Sequence, residues 1–221
     1  MATLTIAAAL KIAASCAPAV APQTLLSVAH TESRLSEFAI GDNNTHQAYQ
    51  PATLAEAVII ASRLIAAGHS VDLGLAQINS TAGHLQRRGL PIAAAFEPCT
   101  AFRVGGEVLA ECYSRTSGPD EQARLKAAAS CYNGDRTGAY AARVWKAAAL
   151  VVPAIAVAGV PAAPSPDPAP LLPPAPPPCA PAWDGWALAE CNARHSAPTP
   201  APEQPAAAIV TATIGTNHAD E

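Results

Sequence analysis

Glu32 is the residue of this chain whose position least suits solubility and most suits chemistry. In Leu25-Leu26-Ser27-Val28-Ala29-His30-Thr31-Glu32-Ser33-Arg34-Leu35, helical spacing puts Leu25, Val28, Ala29, Glu32 and Leu35 on one stripe, so an acid interrupts an apolar face. Burial disfavours the charged carboxylate and raises its pKa, which is what a general acid working near neutrality requires. Standing alone, a Glu on such a stripe is more often a helix-edge residue whose carboxylate reaches water. Its prospective neighbours shift that balance. Ser33 can donate a hydrogen bond beside the carboxylate, and Gly74-Leu75-Ala76-Gln77-Ile78-Asn79 offers amide and backbone groups to a polar ligand. Ser130-Cys131-Tyr132-Asn133-Gly134 adds a phenol and a second amide at a helix end.

A metal reading fares worse. His30-Thr31-Glu32 has the His-x-Glu form of zinc deaminases, but Pro98-Cys99 is followed by Thr100-Ala101-Phe102 rather than a second cysteine. His69 and His84 lack ligand spacing. Neither a metal nor any other cofactor is expected.

The elements that must position these groups are helices. Residues 3–17 read as a first helix, and Pro22 opens a second that carries Glu32 and runs to about Phe38, ahead of the turn residues Gly41-Asp42-Asn43-Asn44. Thr53 caps a third helix stopped by Gly68. Thr100 caps one over 101–114, Asp120 caps another through Leu125 and Ala129, and Thr137 to Leu150 forms the last. Alternating patterns are scarce, so at most a short hairpin is expected, near 42–52 or 68–75. The fold class is mainly α.

Composition divides the chain near residue 150. Of the 22 prolines, 16 follow residue 152, and eight of the ten aromatic residues precede 151. Residues 1–150 carry a net charge of +1 and residues 151–221 a net of −5. Residues 1–150 are therefore the expected folded domain, and 151–221 a Pro/Ala-rich, disordered, extended spacer. An island at 179–191 holds Trp183 and Trp186 between Cys179 and Cys191, either a docking motif or a plain disulfide loop. No basic stripe stands out, which argues against nucleic-acid binding.

Six cysteines without a Cys-x-x-Cys pair suit disulfides in an exported protein. Cys16 with Cys99, Cys112 with Cys131, and Cys179 with Cys191 are the pairings to test. The apolar start ends in Ala19-Val20-Ala21, which has the small-x-small look of a signal cleavage site, yet Lys11 interrupts the run and no basic residue precedes it. A poor signal sequence and a first core helix both remain open. The run is also short for a membrane span of roughly 20 residues.

Taken together and in order, Glu32-Ser33, Gly74-Leu75-Ala76-Gln77-Ile78-Asn79, Tyr132-Asn133-Gly134 and Tyr140 resemble the soluble lytic transglycosylase domain. Cys16-Ala17-Pro18, Ser70-Val71-Asp72-Leu73-Gly74-Leu75 and Glu97-Pro98-Cys99 are similar to the small transglycosylases of type IV secretion and conjugation systems. The resemblance covers roughly residues 12–146. It implies a lysozyme-like fold of the goose-lysozyme type, and cleavage of the β-1,4 bond between N-acetylmuramic acid and N-acetylglucosamine in peptidoglycan, giving a 1,6-anhydro product. Glu32 would be the single acid, with Tyr132 orienting it or the substrate acetamido group. Gln77, Asn133, Ser33 and Tyr140 would bind or support the sugar, Tyr140 being equally suited to packing. Ala76 stands where relatives often have Met or Gly, which leaves a sugar contact from that side chain open. The expected setting is periplasmic, opening the wall for a secretion or conjugation apparatus whose components the tail would recruit. The alternatives are a hydrolysing muramidase with Glu37, Asp42 or Asp72 as second carboxylate, and a non-catalytic peptidoglycan-binding assembly factor.

Overall fold

A computed structural model describes residues 3–157. The island at 179–191, its cysteine pair and most of the proposed tail lie outside the described residues.

Six α-helices and four short strands follow one another as α1 (Ile6–Cys16), α2 (Pro22–Ser33), β1 (Ile40–Asp42), β2 (Gln47–Tyr49), α3 (Leu54–Ala66), β3 (Val71–Leu73), β4 (Ile78–Asn79), α4 (Pro98–Arg115), α5 (Glu121–Asn133) and α6 (Ala139–Val157). Two 3₁₀ turns, Gln86–Arg88 and Ile92–Phe96, lead into α4. Local chemistry sets the boundaries. Thr53 Oγ1 accepts the Glu56 amide at 3.2 Å, and Asp120 accepts the Ala123 amide at 2.7 Å, so both expected caps are in place. Thr100 is not a cap: α4 already begins at Pro98, and the Thr100 hydroxyl reaches the Glu97 carboxylate at 3.3 Å. Proline at the first turn needs no amide donor, so it opens the helix before threonine can.

Two further expectations are corrected. Helix α2 stops at Ser33, five residues before Phe38, because Arg34 and Leu35 both take left-handed backbone angles, with φ 54° and 63°. The turn drops Leu35 into the core and aims its carbonyl at the Leu4 amide, 3.0 Å away. Glu32 is thereby left in the last turn of its helix. The second correction concerns the sheet, which is four-stranded and antiparallel in the order β2-β1-β3-β4 and takes in both hairpin regions considered and residues 78–79 as well. Strands of two or three residues are too short to display an alternation.

The core has two parts. Leu25, Leu26, Phe102, Leu109, Leu125, Tyr140 and Val144 hold the helices α1, α2, α4, α5 and α6 together. Ile40, Val71, Leu73, Leu85, Phe96 and Val104 join the sheet to α3 and the 3₁₀ turns. Helix α4 serves both, through Phe102 and Val104, and so does the adjacent pair Leu75 and Ala76. Disulfides Cys16–Cys99 and Cys112–Cys131 tie α4 to α1 and α5 and match two of the pairings set out above. By loop entropy they contribute roughly 3 kcal/mol for the shorter loop and between about 4 and 5 for the longer. Helix α6 runs past residue 150 to Val157 with Pro153 inside it, so the helical region outlasts the compositional break.

Candidate active site

Glu32 is half-buried, with Leu25, Val28 and Ala29 of its own stripe fully buried beneath it. Helix α2 lies along α6, and Tyr140, near the start of α6, sends its hydroxyl to Glu32 Oε1 at 2.5 Å. Tyr140 is 1 % exposed, so the partner of the acid is itself a core residue. Asp135 accepts the Tyr140 amide at 2.7 Å and holds the start of α6. Burial raises the Glu32 pKa to about 7, opposed by the Tyr140 hydrogen bond, assisted by the Asp72 charge and opposed by the Arg143 charge. A proton that leaves near neutrality is suited to donation and return. Tyr140 itself is pushed up, chiefly by burial and then by the Glu32 charge, and stays a hydrogen-bond donor.

Tyr132 does not face the acid as a partner. Its hydroxyl donates to the Ala76 carbonyl at 2.7 Å, and burial holds its pKa high. Tyr140 has the carboxylate contact, one of the two roles that the sequence reading offered for Tyr132. Both tyrosines point at the same region from different helices, and residue spacing does not reveal which of the two helices lies on α2.

The segment 74–79 is fixed from three sides. Ser33 Oγ lies 2.9 Å from the Leu75 carbonyl, as donor, and 3.2 Å from that of Ala29, so it is a buried brace between α2 and the segment rather than a group open to ligand. Tyr132 holds Ala76 from α5. Gln77 adopts φ 47° and its amide donates to the Gly74 carbonyl at 2.9 Å and the Ala39 carbonyl at 3.2 Å. Gly74 has φ +70°, and a Cβ there would stand 2.1 Å from the Ala95 carbonyl oxygen, so glycine is required. A Cβ on Gly105 of α4 would come within 2.8 Å of the Ala76 Cβ and 3.2 Å of the Tyr132 hydroxyl. Ala76 is fully buried in the sheet-side core; its side chain packs inward. Asn133 ends α5 exposed to solvent and is not among the groups that act on Glu32.

Arg143 and Asp72 act on Glu32 with opposite sign, Asp72 raising its pKa and Arg143 lowering it. Arg143 follows Tyr140 by three residues on α6, with its guanidinium 5.3 Å from the Tyr140 ring centre, and that spacing is the signal that could have found it. Asp72 sits on β3 opposite Gly41 and Asn79, between the buried Val71 and Leu73. Its oxygens accept from Asn43 Nδ2 at 2.9 Å and Asn79 Nδ2 at 2.8 Å. Asp42 is occupied elsewhere, buried against Thr45, Asn44 and His69, and these hydrogen bonds, Thr45 foremost, hold it down to about 2. Among the described residues, no cluster of three or more His, Cys, Asp or Glu is placed to hold a metal.

Tyr140→Phe removes a hydrogen bond to the charged form of Glu32, so the Glu32 midpoint, followed by carboxyl-carbon NMR, is expected to move above about 7.

The site is thus a raised carboxyl on a core helix of a mainly helical domain. Residues 9–149 match the family described as "Transglycosylase SLT domain", and the chain belongs to that family. It is 38% identical over 135 residues to the "Type IV secretion system protein virB1" of Brucella suis biovar 1 (strain 1330), covering 59% of this chain and 56% of that protein. It is 37% identical over 147 residues to "Protein virB1" of Agrobacterium fabrum (strain C58 / ATCC 33970), covering 64% and 59%. A third relative, "Protein virB1" of Rhizobium radiobacter, is 33% identical over 150 residues, covering 65% and 62%. The matches thus span 56% to 62% of the length of these relatives. No solved structure matches the chain.

Proposed function

We propose that this protein is a peptidoglycan lytic transglycosylase that opens the cell wall for a type IV secretion or conjugation apparatus. The observation that carries the reading is the half-buried Glu32 carboxyl, raised to about 7 and held by Tyr140. Protonated Glu32 gives its proton to the glycosidic oxygen, and the bond from that oxygen to C1 of N-acetylmuramic acid breaks. The acetamido oxygen of the same sugar supports C1, as in substrate-assisted glycosidases. Glu32, now charged, takes the proton of the C6 hydroxyl as O6 bonds to C1. The product is a 1,6-anhydro sugar, and no water is consumed. Tyr140 steadies the carboxylate between the two proton transfers, and Ser33, Gln77 and Tyr132 hold the 74–79 wall of the site. Of the expected sugar binders, Asn133 and the free face of Gln77 are the groups left to meet substrate.

Two disulfides suit an oxidising compartment, and no helix among the described residues is long and apolar enough to cross a membrane. A periplasmic setting fits both. In this reading the transglycosylase domain extends through α6 to Val157 rather than ending at residue 150, and the rest of the expected tail recruits secretion components.

A second reading, a hydrolysing muramidase, is favoured by one observation: Asp72, positioned by Asn43 and Asn79, acts on Glu32 by its charge. A second carboxylate could direct a water to C1. Mass spectrometry of digested peptidoglycan separates the readings. Anhydro-muropeptides are expected; products with free reducing ends would identify the hydrolase, and no products from folded protein would leave a binding module.

A further inference from the structure

A cationic pocket lies between the C-terminal end of α2 and the middle of α6. It has a volume of about 410 Å³ and is lined by His30 and Thr31 of α2, by Arg34 just past its end, and by Arg143, Lys146 and Leu150 of α6. No acidic residue lines it. Elsewhere among the described residues Arg88 and Arg103 pair with Glu107 and Arg115 with Glu111, while Arg63, Arg87, Arg124 and Arg136 form no ion pair. Among the described residues, Arg34, Arg143 and Lys146 form no ion pair.

Arg34 has an ordinary reason to be there, since a cation at the C-terminal end of α2 complements the helix dipole. Arg143 and Lys146 lie inside α6, away from its ends, on its exposed surface. The Thr31 hydroxyl is spent on the Ser27 carbonyl at 2.7 Å, so the guanidinium and ammonium groups set the character of the pocket. Burial and the Arg34 charge hold His30 below its usual pKa, which keeps it an uncharged wall near neutrality. Arg143 links the pocket to the acid: it lines the pocket, lies near the Tyr140 ring and acts on Glu32 by its charge.

We infer that this pocket binds the carboxylates of the peptide stem on the N-acetylmuramic acid being cleaved, so that the protein selects stem-bearing over stripped glycan strands. The inference rests on peptidoglycan being the substrate. The sugar whose C1 lies at Glu32 carries its stem on C3 of the same ring, through the lactyl group, so the stem starts beside the acid. Stem residues present several carboxylates along a flexible chain, and a pocket with three unpaired cations is complementary to them.

The test uses full-length Glu32→Gln protein, which binds strands without cutting them. Uncrosslinked strands with intact stems are compared with the same strands stripped by an amidase, which keep only the lactyl carboxylate. Stem-bearing strands are expected to bind about tenfold or more tightly, the size of a few charge-assisted contacts at a partly exposed site, and the preference is expected to weaken as salt rises. Adding Arg34→Gln and Lys146→Gln, both at exposed positions, is expected to collapse the ratio towards one while circular dichroism stays unchanged. Equal binding of the two strands by protein with the pocket intact would overturn the inference. So would a preference that survives in the folded double variant. Failure of the enzyme reading looks different: wild-type protein yields no anhydro-muropeptides from either strand, whatever the binding ratio.

Discussion

Glu32→Gln is expected to lower the rate of anhydro-muropeptide formation by a factor of about 10² to 10⁴, the range associated with a positioned proton donor. Glutamine keeps the length of the side chain and an oxygen to accept from Tyr140, so the substitution isolates the proton. The single-acid scheme predicts that both halves of the reaction fail together, because the same carboxyl protonates the leaving oxygen and then deprotonates the C6 hydroxyl. Rates measured from pH 4 to 9 on wild-type protein should fall on the alkaline side with a midpoint near 7, where Glu32 loses its proton. A profile flat across neutrality would sink the assignment of Glu32 as the acid. An alkaline limb of the same midpoint surviving in Glu32→Gln would assign it to another group.

The same substitution should stabilise the fold. The Glu32 pKa rises from an ordinary 4.5 to about 7 on folding, so the folded state holds its proton more tightly than the unfolded chain does. The contribution is therefore at its most favourable below about 4.5, declines as pH rises through 7, and is constant above that. The change across this window is about 3 kcal/mol at most. Glu32→Gln removes it, so thermal unfolding should show the variant gaining on wild type from pH 5 to 8, by several degrees. At pH 4 the two should unfold at similar temperatures. Asp42 and Asp135 act in the opposite sense: their hydrogen bonds hold both near 2, so they favour folding above about 3.8 and lose that effect as pH falls towards 2. A variant less stable than wild type at pH 8 would show that Glu32 is held charged.

Much of this arrangement was legible in the residues. A Glu among Leu25, Val28 and Ala29 announced a buried acid, and Thr53 and Asp120 marked helix starts through side-chain hydrogen bonds that depend only on local chemistry. Long-range packing was not legible. Tyr132 is expected from the sequence to orient Glu32 or the substrate acetamido group; the hydrogen bond to Glu32 comes from Tyr140 instead, because it depends on α6 lying along α2, and no local pattern encodes which helices meet. The end of α2 was misplaced for a related reason. Leu35 continues the apolar stripe in sequence, but the chain reaches its burial site through a left-handed turn. The strands were obscured by their length, since their register depends on partners up to 33 residues away, as with Ile40 and Leu73.

The hydrogen bond between Glu32 and Tyr140 joins residues 108 positions apart. A newly made chain therefore carries its acid long before it carries the group that steadies it. Until α6 has seated against α2, Glu32 is an ordinary water-exposed carboxyl of low pKa, unable to deliver a proton near neutrality. In the proposed reading, proton transfer by Glu32 is thus the last property the folding domain acquires.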